Sequence, residues 1–145
     1  KQTPFRLVIV GSPAPNHRNY FEQCKKEAGS NVVFKGQLDQ EGVFKTLLES
    51  AIHAMPSWFE TCGLSSLEAG MLGCKVVATK TGDQEEYLKQ FVDYCVPQDP
   101  VSIKKAIKNA SERLYTDDFK NHIIAHYTWE KASEQTHEAY KTILA

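Results

Sequence analysis

Two glutamates eight positions apart, Glu60 and Glu68, stand in a stretch of small and apolar residues running from Ser57 to Gly82. Ionised carboxylates accept several hydrogen bonds each, which suits them to the hydroxyls of a sugar. Between them lie Thr61, Cys62, Gly63, Leu64 and Ser65, where apolar residues begin to recur at helical spacing. Backbone amides at a helix N-terminus have no carbonyl to donate to within the helix, and with the helix dipole they suit a phosphate. A plainer alternative stays open on spacing alone. Glu60 would then be a solvated loop residue and Glu68 an exposed helix residue, since glutamates eight apart are common in any chain.

The elements that must position these residues can be read on either side. A short apolar run over residues 51–55 ends at Pro56-Ser57, a breaker pair that marks the end of a strand. Gly63 permits a tight backbone turn, and Leu64, Leu67, Met71 and Leu72 form one helical stripe. Gly73 closes the helix, and Val76, Val77 and Ala78 start the next strand. The unit is a parallel β-α-β crossover with one carboxylate on its loop and one on its helix. Its loop leaves the carboxyl end of a strand, where open α/β sheets bind ligands.

Pro56, Ser57, Glu60, Gly63, Leu64, Leu67, Glu68 and Ala69 fall in a Pro-Ser-x-x-Glu-x-x-Gly-Leu-x-x-Leu-Glu-Ala pattern. In this the stretch resembles the retaining GT-B glycosyltransferases of the GT4-type group (glycosyl transferases group 1), whose hallmark is Glu-x7-Glu in that setting. Gly82-Asp83-Gln84-Glu85-Glu86 resembles the family's following Gly-x-x-x-Glu loop, and the likeness extends from Arg6 to about Ile107. Lys75 departs from it, standing where the family usually carries proline before Val-Val.

The resemblance implies a nucleotide-sugar donor, UDP- or GDP-linked, transfer with retention, and no metal or other cofactor. It assigns the ribose hydroxyls to Glu68 and the donor sugar near its reacting carbon to Glu60, the catalytic candidate. It assigns the diphosphate to amides at Thr61, Cys62, Gly63, Leu64 and Ser65, and the base to the loop at Lys35, Gly36 or Gln37. It also implies that the chain is the C-terminal, donor-binding half of a two-domain enzyme. The N-terminal half would carry the acceptor site, and the family's phosphate-binding Arg and Lys would lie upstream of Lys1. Turnover by this chain alone is therefore not expected. The acceptor would be a glycan, a lipid or a small molecule, with polysaccharide biosynthesis as one setting. A sugar-nucleotide epimerase or phosphorylase half of the same architecture, and a non-catalytic nucleotide-binding module, are the other readings.

Composition fits such a domain and excludes other classes. At 145 residues, 41% hydrophobic and 24% charged, the chain has the size and balance of one globular domain spanning residues 1–145. A net charge of −1 gives no electrostatic case for nucleic acid or an anionic membrane. No apolar run approaches the ~20 residues of a membrane span, so a membrane enters only through a lipid acceptor or the other half. Cys24, Cys62, Cys74 and Cys95 form no Cys-x-x-Cys pair, and the five histidines are too dispersed for a metal motif. This fits a reduced, cytoplasmic setting, with peripheral attachment at the inner membrane face for a lipid acceptor. Cys62 reads as a passive small residue, His53 as a hydrogen-bonded core residue. Trp58 and Phe59 either stack on the ligand or pack beneath the loop.

The expected fold is α/β: a Rossmann-like, doubly wound parallel sheet flanked by helices, with a helical C-terminal segment over about 101–145. Strands are expected at residues 7–10, 32–34, 51–55, 76–78 and 92–96. Arg6 to Val10 reads as a strand buried on both faces. Helices are expected at 17–28, 40–49 with Asp39 as N-cap, near 85–89, and then at 101–115, 118–126 and 129–144. The 101–115 helix should turn Ile103, Ala106, Ile107, Ala110 and Leu114 inward. The last helix should bury a stripe of Trp129, Ala132, Thr136, Ala139, Tyr140 and Ile143, with its end beyond about Tyr140 frayed or docked on a neighbouring chain. With the family's first strand absent, either strands 7–10 and 51–55 pair directly, in the order 2-1-3-4-5, which is the favoured expectation, or a segment outside this sequence fills the slot between them.

Overall fold

The computed structural model describes residues 5–144. Its elements are β1 (Leu7–Val10), α1 (Arg18–Glu27), β2 (Val32–Gly36), α2 (Gln40–Leu48), β3 (Ile52–Ala54), α3 (Leu64–Met71), β4 (Lys75–Thr79), α4 (Gln84–Leu88), β5 (Asp93–Cys95), α5 (Pro100–Glu112), α6 (Asp118–His126) and α7 (Trp129–Leu144). Strands are parallel and alternate with helices until β5, and three helices follow. This is the expected α/β class. The chain divides into two compact units, Lys1–Lys45 and Thr46–Ala145, and the boundary falls within α2.

In the first unit β1 pairs with β2 from Leu7↔Val32 to Val10↔Gly36, with a register shift after Ile9. Gly36 adopts φ +69°, and its carbonyl accepts from Gly11 N at 2.8 Å. Phe21 of α1 meets Phe34 of β2 edge to face at 5.5 Å. Leu7 is 49% exposed, and both Val8 and Ile9 are only partly covered, so the expected burial of this strand on both faces is not found.

The second unit carries the sheet β3-β4-β5. His53 lies opposite Val76, and Ala78 opposite Tyr94. Val76, Val77 and Ala78 are fully buried, and side chains alternate along a strand, so β4 is covered on both faces. One cover is α5: Ala106 and Ala110 pack on Val77 and Cys95, with Ile52, Ile103 and Ile107 around them. That is the expected inward face, less Leu114, which is 86% exposed because α5 ends at Glu112. Asp99 caps α5 by accepting from Val101 N at 2.9 Å. Lys75 tethers its other end, donating to the carbonyls of Arg113 at 2.7 Å and Ser111 at 3.3 Å. Its backbone amide also donates to Ala51 O at 3.0 Å, which proline could not do.

Three expectations are corrected. Among the described residues the strands form two sets, β1-β2 and β3-β4-β5, so the direct pairing of β1 with β3 is not present. β1 pairs with β2 and β3 with β4, the strand that follows each by a helical crossover. The stripe on α7 is not buried: Trp129 is 88% exposed, and no residue of this helix reaches the core. α7 continues to Leu144, so of the two expected ends, frayed or docked on a neighbouring chain, the frayed one is not found; its wet face carries the ion pairs Lys131–Glu134 and Lys141–Glu138.

Candidate functional site

The loop between β3 and α3 leaves the carboxyl end of a parallel strand, as its sequence required. Gly63 is the N-cap of α3 in the left-handed region (φ +54°, ψ +38°), and its carbonyl accepts from Ser66 N at 2.8 Å. Glycine is favoured here because any other residue would bring its Cβ against the following carbonyl. Leu64 and Ser65 begin the helix, so their amides lack an intrahelical acceptor. Thr61 and Cys62 precede it on the exposed loop.

Glu60 is half-buried, and its Cγ lies 3.4 Å from where a Cβ on Gly63 would stand. The loop glutamate therefore lies against the helix N-terminus. Glu68, one turn into α3, is also half-buried and has an interaction partner of its own. Neither is the fully solvated side chain of the plainer alternative. Trp58 and Phe59 are each 69% exposed, so they do not pack beneath the loop.

The loop is braced by the end of β4 and the chain that follows it. Thr79 and Thr81 both donate to the carbonyl of Ser57, at 3.0 and 3.3 Å, and their hydroxyls lie 2.7 Å apart. Tyr87 donates its hydroxyl to the carbonyl of Thr61. Burial, reinforced by the acidic groups of Cys62, Asp83, Glu60 and Glu86, pushes the Tyr87 phenol up to about 12, which keeps it a donor. Gln84 is fully buried with its Cγ and Cδ each 3.5 Å from the Cβ position of Gly63, and its Oε1 and Nε2 have no protein partner. Gly82, at φ +70°, touches the backbone of Glu60. Lys80, in the same connection, pairs with Glu85 and lies 5.0 Å over the Tyr94 ring.

The structure thus brings Glu60, Thr61, Cys62, Gly63, Leu64, Ser65 and Glu68 onto one β-α connection. Gly36, with Lys35 and Gln37 beside it, belongs to the first unit, where it ends β2. The resemblance had marked Gly82 and Gln84 only as part of a following loop, and nothing marked Thr79, Thr81 or Tyr87. Burial lowers the pKa of His53, and its Nε2 has no protein partner, so the expected core hydrogen bond at that atom is missing. Among the described residues no cluster of three or more His, Cys, Asp or Glu is placed to hold a metal ion, and no helix is long and apolar enough to cross a membrane.

A family model described as Glycosyl transferases group 1 matches residues 1–113. A glycosyltransferase of Methanocaldococcus jannaschii is 28% identical over 145 residues, covering 94% of this chain and 37% of its own length. A glycogen synthase of Clostridium botulinum is 24% identical over 157 residues, covering 98% of this chain and 32% of its own. Among solved structures, sucrose-phosphate synthase from Thermosynechococcus elongatus superposes with a TM-score of 0.81 at 22% identity, over 96% of this chain and 38% of that one. That likeness shows the fold: parallel strands flanked by helices. The chain spans 37% and 32% of the two relatives' lengths.

Proposed function

The chain belongs to the glycosyl transferases group 1 family, and from that premise we propose that it is the donor-binding domain of a retaining, GT4-type glycosyltransferase. Its ligand is a nucleotide-sugar, UDP- or GDP-linked. Glu68 accepts hydrogen bonds from the ribose hydroxyls. The amides of Thr61 to Ser65 receive the diphosphate, and Glu60 contacts the sugar near the reacting carbon. One observation carries the reading: Glu60 is held against Gly63, so a carboxylate for hydroxyls stands beside amides for phosphate.

The chemistry follows from charge. As the glycosidic bond of the donor lengthens, negative charge gathers on the departing diphosphate. Fixed amides at a helix N-terminus stabilise that charge without reorganising, whereas water would have to turn. Transfer also needs an acceptor hydroxyl held close to the anomeric carbon. The relatives are about three times as long as this chain, and we assign acceptor binding and turnover to a further half of the protein. The acceptor is a glycan, lipid or small molecule, met in the cytoplasm or at its membrane face.

Calorimetry on the isolated chain tests the assignment. Charged hydrogen bonds of this kind contribute ~1.5–3 kcal/mol, so Glu68→Ala should weaken binding of the preferred nucleoside diphosphate at least about tenfold. Glu60→Ala should leave the bare diphosphate unchanged and weaken only the sugar-bearing donor. Equal affinity of wild type and Glu68→Ala for UDP, GDP and ADP would sink the ribose assignment; equal losses for both ligands in Glu60→Ala would sink the division of roles.

A further inference from the structure

The connection after β4 touches the site loop at three points. Tyr87 donates to the carbonyl of Thr61, Gln84 packs against Gly63, and Gly82 packs against Glu60. The last contact is the closest. A Cβ built on Gly82 would stand 1.8 Å from the carbonyl oxygen of Glu60, 2.9 Å from its carbonyl carbon and 3.4 Å from its nitrogen. All three are main-chain atoms, so no rotamer change relieves the collision. The Glu60 peptide itself would have to move by about 1 Å or more.

From this we propose that Gly82 is a positioning residue for Glu60: having no side chain, it lets the two loops meet backbone to backbone and so sets where the Glu60 carboxylate stands. The proposal rests on the reading that Glu60 contacts the donor sugar. It assigns Gly82 no contact with ligand. A displacement of about 1 Å in a catalytic constellation can cost ~10²-fold in rate, so the requirement at position 82 concerns reactivity as well as folding.

Gly73 supplies the control. It also has a positive φ, +90°, yet its Cβ position meets nothing nearer than Tyr115 Oη at 3.7 Å. Gly73→Ala therefore imposes left-handed backbone strain without a collision, whereas Gly82→Ala imposes both. Affinities for UDP, GDP, UDP-glucose and GDP-mannose would be measured on the full chain by calorimetry, and the Glu60 and Thr61 amides followed by 1H–15N NMR without ligand. Gly82→Ala is expected to lose at least tenfold for the sugar-bearing donor and clearly less for the bare diphosphate, which loses only the Thr61 amide of the displaced peptide and keeps those of Cys62 to Ser65. Its Glu60 amide should shift, and Gly73→Ala should do neither. Wild-type amide positions and an unchanged donor-to-diphosphate ratio in Gly82→Ala would overturn the proposal. If the wild type binds none of the four ligands, the donor reading fails by itself. The Glu60 amide then decides: a shift confined to Gly82→Ala upholds the positioning, and an unmoved amide refutes it.

Discussion

Gly70→Ala should destabilise the protein although it exchanges a poor helix former for the best one. Gly70 lies fully buried near the end of α3, on the face where α6 packs. In a helix interior the exchange contributes about 1 kcal/mol in favour of alanine. Here the new methyl would stand 2.3 and 2.5 Å from Cε1 and Cδ1 of Phe119 and 3.0 Å from Cδ1 of Ile123. The Phe119 ring must retreat by about 1 Å, and it is already buried and stacked on Phe91 at 5.6 Å. Such overpacking costs ~1–3 kcal/mol. The net loss is then about 1 kcal/mol, or roughly 3 °C in midpoint for a chain of this size. Urea denaturation of four proteins completes the measurement: wild type, Gly70→Ala, Phe119→Leu and the double variant. With the aromatic edge gone, Gly70→Ala should become neutral or stabilising, a coupling of roughly 1 kcal/mol or more. Stabilisation by similar amounts in both backgrounds would refute the close approach of α3 and α6.

Lys75→Met should cost about 1 kcal/mol by releasing the Arg113 and Ser111 carbonyls at the end of α5, and Lys75→Pro should cost more because the amide bond to Ala51 goes too. Denaturant midpoints of the two variants check the order. Burial holds the His53 pKa below its ordinary value, so the fold favours the neutral ring; stability should fall as the pH drops below about 6.5 and level off once the folded-state value is passed. His53→Asn should lose less between pH 7 and pH 5 than wild type, and an identical loss would remove His53 from the account. Iodoacetamide should alkylate exposed Cys62 well before buried Cys74 and Cys95, whose thiols burial pushes up, and UDP or GDP should slow that reaction. Mass spectrometry showing Cys62 labelled at one rate with and without nucleotide would separate it from the diphosphate position.

What was legible in the sequence was local. Breakers and periodicity placed α6 and α7 over the residues found and put α2 within one residue. Asp39 accepts from Gly42 N at 2.8 Å, as its side chain suggested at that N-terminus. Gly63 was readable because a backbone turn before an apolar helix calls for glycine. The bracing was not readable, since a threonine or tyrosine that donates to a carbonyl over 20 residues earlier has no periodic mark. Amphipathicity misled at α7, where Trp129 and Ile143 form a stripe that nothing among the described residues covers. Leu114 failed differently: its spacing continued α5, but Arg113 turns extended at ψ 136°.

The bracing of the Ser57–Gly63 loop bears on how the domain can be rebuilt and inherited. Every brace named above comes from residues 79 to 87, so the loop and its supports form one continuous cassette between β3 and β5. On the ribosome the loop emerges before its anchors and can take its final shape only after Tyr87 has left the tunnel. A loop transplanted from a relative without its own 79–87 partner would arrive with its carbonyls unclaimed and its glutamate unsupported. Exchange of the whole segment should carry the geometry across intact. The unit of recombination is the braced pair of loops.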